Sequence, residues 1–195
     1  MKRSHAAIIA LMIPTALAAQ QPPAGPPANP ITMAFRGRIM ALHRNLAQAF
    51  DSIPATTFGF KPTPAQQTVG FIAQHLANDN YFFCNNFGDM KGTRPARDTE
   101  TADSVKATWP KDTLVARLKE SFTFCEQAFA QLTDARLADQ ITITFGANSR
   151  TGTRASMVLG HALDMADHYS QLANYMRLNN ILPPTALPRP RPGGN

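Results

Sequence analysis

The sequence has little charge, a single tryptophan and no long apolar run beyond its first residues. Charged residues make up 16% of the 195 residues, whereas 44% are hydrophobic, which excludes a chain disordered throughout by charge. The formal net charge is +6, but residues 31–182 carry 15 basic and 13 acidic residues. No basic stretch has the interleaved aromatic residues that base stacking requires, so no nucleic-acid partner is expected.

Proline is absent from residues 65–94 and 111–182, and eleven of the 16 prolines lie in the two terminal parts of the chain. Because proline breaks helices, these proline-free stretches predict helices between proline-rich ends. We expect one domain over residues 32–182, a Pro-rich linker at 20–31 and a disordered Pro/Arg-rich tail at 183–195.

Residues 1–19, MKRSHAAIIALMIPTALAA, have the pattern of a secretory signal peptide. Lys2 and Arg3 precede an apolar segment at 6–17 that is too short to span a bilayer comfortably, and residues 16–18 form an A-x-A cleavage signal. The sequence therefore predicts an exported protein, periplasmic or secreted, with no membrane span after signal cleavage. An uncleaved membrane anchor is the alternative interpretation.

The two cysteines, Cys84 and Cys125, are candidates for a disulfide. An exported chain meets oxidising conditions, and an even number of cysteines then favours pairing. The enclosed loop is long, so the bond would contribute about 4 kcal/mol in the chain-entropy model. Two unpaired buried thiols are the alternative.

Four segments have the three- and four-residue spacing of apolar residues that is typical of amphipathic helices. They cover residues 32–53, 65–87, 112–132 and 153–180. The apolar faces include Met33 and Phe83, and Asp112 is the expected N-cap of the third helix. Residues 88–110 are expected to form a loop, and 141–145 alternate weakly like a strand without an evident partner. The pattern predicts an all-α fold, an antiparallel four-helix bundle.

A polar stripe follows the fourth predicted helix. At 100° per residue its members fall within about 80° of arc, at the edge of the apolar face. They are His161, Asp164, His168, Gln171 and Tyr175. Polar groups at such a position need partners, which a metal or a bound ligand would supply. His43, on the first helix, is interpreted as a structural or surface residue.

Asp164 and His168 are one turn apart and can reach one ion together. His161 and His168 are about 10.5 Å apart along the axis, too far to bind the same ion. On the second helix His75 lies among apolar residues, with Asp79 one turn on. A histidine of one helix facing Asp164 and His168 of another would make a three-ligand metal site. Alternatively, these residues pair with each other in a structural network.

Residues 161–184, HALDMADHYSQLANYMRLNNILPP, resemble the C-terminal helix of the DinB-like (YfiT-like) superfamily of four-helix-bundle metalloproteins. Two more segments fit the same pattern, Ile53-Pro54 followed by FKPTP at 60–64, and TVGFIAQHL at 68–76. In that family a histidine on the second helix and two histidines four apart on the last helix bind a divalent metal, often nickel or zinc. Members often pair through bundle faces, so the resemblance also suggests a homodimer.

The resemblance places His75 and His168 at two of the three ligand positions, and Asp164 at the third, where the family has histidine. Asp164 is then either a carboxylate ligand, in a set that suits iron(II), manganese or zinc, or the sign of a lost or weakened metal site. The candidate supporting partners of these ligands are His161, Asp79, Gln171 and Tyr175.

Two functions follow as expectations. The first is a divalent-metal-dependent, hydrolase-like enzyme that acts on an unidentified small molecule, with Asp79 or His161 as candidate general base. The second is a metal-free exported binding or structural bundle with a degenerate metal site. The second is favoured by Asp164 and by the absence of G-x-S-x-G, HExxH, P-loop and GxGxxG motifs. Some members of the family use a low-molecular-weight thiol, which an exported protein would not be expected to meet.

Overall fold

Four long helices and one β-hairpin make up most of the regular structure. The computed structural model describes residues 28–188, so the predicted signal peptide, most of the linker and the end of the tail lie outside the described residues. The described part contains six α-helices and two strands: α1 (Pro30–Ser52), α2 (Val69–Phe87), α3 (Ala96–Glu100), α4 (Asp103–Lys106), α5 (Lys111–Ala130), β1 (Gln140–Phe145), β2 (Asn148–Thr153) and α6 (Arg154–Leu178).

The four long helices occur where apolar periodicity predicts them, with differences at their starts. α2 begins at Val69 because the Thr68 hydroxyl accepts a hydrogen bond from the Phe71 N–H at 3.1 Å and caps the helix. Asp112 is not an N-cap, since Pro110 holds that position and Asp112 lies in the first turn of α5.

Helix α1 packs against α5 and α6, and α2 packs against the same two helices. The apolar stripes meet in two adjoining clusters of buried side chains. The first includes Leu46, Phe50, Ile72, Leu118 and Leu172. The second includes Ile39, Phe87, Phe129, Ile143 and Val158. Each fully buried side chain of this size contributes roughly 1.5–3 kcal/mol of transfer free energy. Among the described helices, none combines the length and the apolar character needed to cross a membrane.

Two residues expected on apolar faces lie elsewhere. The Met33 side chain is 58% exposed, and Thr32 is buried instead, with its N–H donating to Asp134 Oδ1 at 2.7 Å. Phe83 is only half-buried, because the buried stripe of α2 runs through Asn80, Cys84 and Phe87.

The fold is mostly helical, as expected, but residues 141–145, for which no partner was evident, pair with a second strand. β1 pairs with β2 in antiparallel register, Gln140 opposite Thr153, around a turn in which Gly146 has a φ of +56°. Ile143 is fully buried and anchors the hairpin in the second apolar cluster. The partner strand, NSRTGT, has no apolar alternation that could have revealed it.

The segment expected to be a loop at 88–110 contains α3 and α4. Lys106 at the end of α4 is 5% exposed, and its ammonium pairs with Asp103 at 2.8 Å and donates to the Asp98 carbonyl at 3.1 Å. The following residue, Ala107, lies so close to α2 that a Cβ atom on Gly70 would overlap its carbonyl oxygen.

The first residues of the tail are ordered against α6, contrary to the expectation of disorder from residue 183. Pro184–Ala186 form a 3₁₀ turn. The Tyr169 hydroxyl donates to Thr185 Oγ1 at 3.0 Å and accepts from the Thr185 N–H at 3.1 Å. Residues 189–195 lie outside the described part of the chain.

Candidate metal centre

Helices α2 and α6 bring the three predicted ligands together. His75, Asp164 and His168 each offer one ligand atom, and these atoms lie within 4.8 Å of one another. The two imidazole rings meet edge-on, with centroids 4.8 Å apart. The side chains are 32%, 19% and 15% exposed, so the cluster lies at the edge of the core and within reach of solvent.

His168 is oriented by a hydrogen-bonded chain along α6. Its Nδ1–H donates to Gln171 Oε1 at 3.3 Å, and Gln171 Nε2 donates to the Tyr175 hydroxyl at 3.0 Å. In the neutral ring Nε2 then keeps its lone pair, and this nitrogen is 3.5 Å from Asp164 Oδ1. A carbonyl that accepts from the second ring nitrogen is the usual support of a metal-binding histidine.

His75 is held from two sides on α2. Its Nε2 is 3.2 Å from Asp79 Oδ2, one turn on, and the Phe71 ring stacks on it with centroids 5.8 Å apart. When Nε2–H donates to Asp79, the other ring nitrogen keeps its lone pair. The predicted supporting roles of Asp79, Gln171 and Tyr175 therefore have matching contacts.

One carboxylate oxygen of Asp164 lacks a hydrogen-bond partner among the described residues. Asp164 Oδ2 is buried and has no hydrogen-bond partner within residues 28–188. A buried carboxylate oxygen without a partner is costly, and a cation would remove the cost. Two imidazoles and one carboxylate are a donor set that iron(II), manganese and zinc accept, so the residues fit a divalent metal.

Burial and close charges shift the protonation of the cluster. Burial, and then the neighbouring His168 ring, lower the pKa of His75. Burial opposes protonation of His168, but the hydrogen bond and charge of Asp164 raise its pKa above the usual value. Burial, reinforced by the Asp164 charge, raises the pKa of Asp79 to about 7. Near neutral pH, Asp79 is therefore able to hold or release a proton beside His75.

Comparison with known protein families identifies the chain. Residues 38–172, which include all three ligands, match the family model of the DinB superfamily. The chain belongs to the DinB superfamily. Comparison with curated proteins gives no match.

Solved structures of similar fold include two DinB-like proteins. That of Bacillus cereus is 14% identical with a TM-score of 0.61, over 78% of this chain and 95% of its own. That of Bacillus subtilis is 15% identical with a TM-score of 0.56, over 75% of this chain and 92% of its own.

A third similar structure is the mycothiol-dependent maleylpyruvate isomerase, 15% identical with a TM-score of 0.56. The match covers 72% of this chain and 60% of the isomerase. At these identities the likeness concerns the fold.

His161 of this DinB-superfamily protein lies in a separate, fully buried cluster. Its Nε2–H donates to Asn80 Oδ1 at 2.7 Å, and Asn80 Nδ2 donates to Ser121 Oγ at 2.8 Å. The expected contact between His161 and Asp164 is thus replaced by a bond to α2, and a role for His161 as general base is not supported by its burial. His161 thus lies apart from the cluster of His75, Asp164 and His168.

The buried cluster also contains His43 and the two cysteines. His43 is 2% exposed, so the surface interpretation is wrong; its ring stacks on Phe122 with centroids 4.1 Å apart. Cys84 and Cys125 are joined in a disulfide with their Cα atoms 5.3 Å apart. Burial, and then the His161 ring, lower the pKa of His43 to about 2, while burial lowers the pKa of His161 to about 4.

Sequence reasoning missed Asn80 and Ser121. Asn80 stands four residues after Leu76 and four before Cys84, on the buried stripe of α2. A polar residue in that register needs a buried partner, and that signal was available. Ser121 gives no comparable signal.

Two clefts lie next to the candidate metal centre. One, of about 680 Å³, is lined by Phe58, Phe71 and Trp109, and the other, of about 670 Å³, by Asp79 and Arg94 among others. The linings include none of the three ligands, but each contains a residue in contact with His75. A small molecule in either cleft could therefore contact a neighbour of His75.

Proposed function

We propose that this protein is an exported, divalent-metal-dependent enzyme with hydrolase-like chemistry on a small molecule. The observation that carries the proposal is the meeting of His75, Asp164 and His168, with ligand atoms within 4.8 Å and one buried carboxylate oxygen unpartnered. We interpret the four long helices as the antiparallel four-helix bundle that presents these ligands.

His75, Asp164 and His168 would hold a divalent ion, which would supply Lewis acidity and a lowered pKa of bound water. The protein's own groups do the rest. Gln171 and Tyr175 hold the His168 ring so that its Nε2 lone pair is available. Asp79 Oδ2, 3.2 Å from His75 Nε2, is a carboxylate outside the ligand set and is our candidate for taking up a proton. The flanking clefts would orient the substrate.

Export rests on residues 1–19, which have the pattern of a signal peptide. The bond between Cys84 and Cys125 suits an oxidising compartment. A similar fold serves the mycothiol-dependent maleylpyruvate isomerase, which supports an enzyme role for the fold. The predicted homodimer stays a prediction.

The alternative is a metal-free binding or structural bundle. It is favoured by the contacts within the centre, where His75 lies 3.2 Å from Asp79 and His168 lies 3.5 Å from Asp164. These pairs could satisfy one another without an ion. The two pairs give Asp164 Oδ2 no hydrogen-bond partner, although this oxygen is buried, and we therefore favour the metal-binding proposal.

The test is metal analysis by mass spectrometry on the chain from residue 20, purified without chelators. Wild type, His168→Ala and His43→Phe are compared, the last as a matched histidine variant outside the centre. We expect about one ion per chain in wild type and in His43→Phe, and its loss in His168→Ala. Wild-type protein that stays metal-free after incubation with nickel, zinc, manganese and iron(II) would establish the alternative.

A further inference from the structure

The buried cluster contains a second set of metal-ligating side chains. Cys84 Sγ, Cys125 Sγ and one nitrogen of His161 lie within 4.8 Å of one another, and all three residues are 0% exposed. Cys125 Sγ is 4.0 Å from His161 Nε2. In the disulfide the sulfur atoms carry no charge and are weak ligands. These three residues therefore cannot bind a metal ion as long as the disulfide is intact.

Uncompensated nitrogen atoms surround this set. His161 Nδ1 and both ring nitrogens of His43 are buried and, within the described part of the chain, lack a hydrogen-bond partner. The His43 and His161 rings meet edge-on, with centroids 5.4 Å apart. Each buried nitrogen without a partner costs desolvation free energy, and a bound cation would compensate one lone pair.

We propose that Cys84, Cys125 and His161 form a second metal site, for a thiophilic divalent ion such as Zn²⁺, which exists only when the disulfide is reduced. Two thiolates and an imidazole are a donor set typical of structural zinc, and His43 is a further nitrogen donor beside it. The Cα separation of 5.3 Å already holds the two cysteines on facing helices.

Conversion of the disulfide form into the zinc-bound form requires a two-electron reduction of the disulfide. A phosphine reductant cleaves the bond between the two sulfurs, giving two thiols, and with one water it becomes the phosphine oxide. Zn²⁺ then displaces the two thiol protons and binds the thiolates. Ligation by His161 Nε2 moves the ring proton to Nδ1 and replaces the hydrogen bond to Asn80 Oδ1.

Thiols persist in reducing compartments and disulfides form in oxidising ones. Zinc would therefore cross-link Cys84 and Cys125 before oxidation, and the disulfide would cross-link them afterwards. This inference is independent of the centre at His75, Asp164 and His168, which contains no sulfur ligand.

The test uses Co²⁺ as a spectroscopic substitute for Zn²⁺. The chain from residue 20, carrying His168→Ala to disable the first centre, is refolded with Co²⁺ either oxidised or with a phosphine reductant. We expect a thiolate-to-cobalt charge-transfer absorption of about one ion per chain in the reduced sample, displaced by Zn²⁺, and none in the oxidised sample. The first centre cannot produce this band.

Two variants complete the experiment. Cys84→Ser with Cys125→Ser, shown to be folded by circular dichroism, removes the band. His161→Phe keeps the thiols and lowers the Co²⁺ affinity at least about tenfold. A reduced, folded chain that shows no band in excess Co²⁺ would overturn the proposal. So would a reduced chain that stays unfolded with Co²⁺ and with Zn²⁺, since a genuine site stabilises the folded state.

Discussion

Helix α6 takes part in two polar clusters of opposite character within eight residues. His161 is fully buried among Asn80, His43 and the disulfide, whereas Asp164 and His168 lie at the edge of the core, within reach of solvent. Both face α2, and both have a histidine with one ring nitrogen engaged by a side-chain carbonyl. The two clusters differ in their solvent exposure and in the presence of a carboxylate, Asp164, which only the edge cluster contains.

Burial in the first cluster favours neutral imidazole and lowers the pKa of His161 to about 4. In the second, Asp164 raises the pKa of His168 against the effect of burial. With the disulfide formed, we expect the buried cluster to contribute to stability and the edge cluster to binding, although their hydrogen bonds are similar.

The largest expected effect concerns the buried cluster. Replacing Cys84 and Cys125 by serine removes a cross-link over 41 residues and lowers the free energy of unfolding by about 4 kcal/mol. The measurement is urea denaturation of the oxidised wild type and the double variant. The metal content of the edge cluster should not change; a loss of metal with unchanged stability would reverse the roles of the two clusters.

Acid should act through the same cluster. The pKa of His43 is about 2 when folded, below its unfolded value of 6.5, so below pH 6.5 the unfolded chain takes up the proton first and stability falls with pH. His161 adds to this down to its folded pKa of about 4. Each histidine contributes up to about 1.4 kcal/mol per pH unit.

His43→Phe removes one of these protons and keeps the stacking on Phe122. Its stability relative to wild type should rise as pH falls, by roughly 3 kcal/mol between pH 6.5 and pH 4. Denaturation midpoints across this pH range measure it. Parallel curves for the two proteins would contradict the assignment of acid sensitivity to His43.

At the edge cluster, substitution should affect binding rather than stability. Asp164→Asn removes the anionic ligand, and we expect metal affinity to fall more than about 100-fold, beyond the effect of losing a supporting partner. The metal-free chain should keep its stability or gain some, because the substitution removes a buried carboxylate oxygen that has no partner among residues 28–188. Competition titration with a chromophoric chelator measures the affinity. Asp164→His, which restores the family ligand, is the matched variant and should tighten binding.

The smallest effect is expected at Asp79. Asp79→Asn keeps the shape but weakens the support of His75, so metal affinity should fall roughly tenfold to 100-fold. If Asp79 is also the proton acceptor, the variant loses turnover in excess of the affinity loss once a substrate is known. Unchanged affinity would show that His75 is oriented by Phe71 alone.

Periodicity predicts the edge cluster because its members repeat at helical spacing. Asp164 and His168 lie one turn apart, and the family resemblance supplies His75 from another helix. The buried cluster was not predictable in the same way, since His43, Asn80 and His161 come from three helices whose rotations about their axes depend on packing. Likewise β2 forms because β1 needs a partner, and its own residues carry no such pattern.

The missing side chain at Gly70 sets the width of the first cleft. The backbone of Ala107 rests where a methyl group would stand, and the Gly70 N–H donates to the Phe58 carbonyl at 2.8 Å. Phe58 and Ala107 both line that cleft, so its two walls are spaced by direct contact with one residue of α2. The methyl group of Gly70→Ala would push Ala107 and Phe58 apart. A single methyl group on α2 would thus change the volume of the cleft beside Phe71.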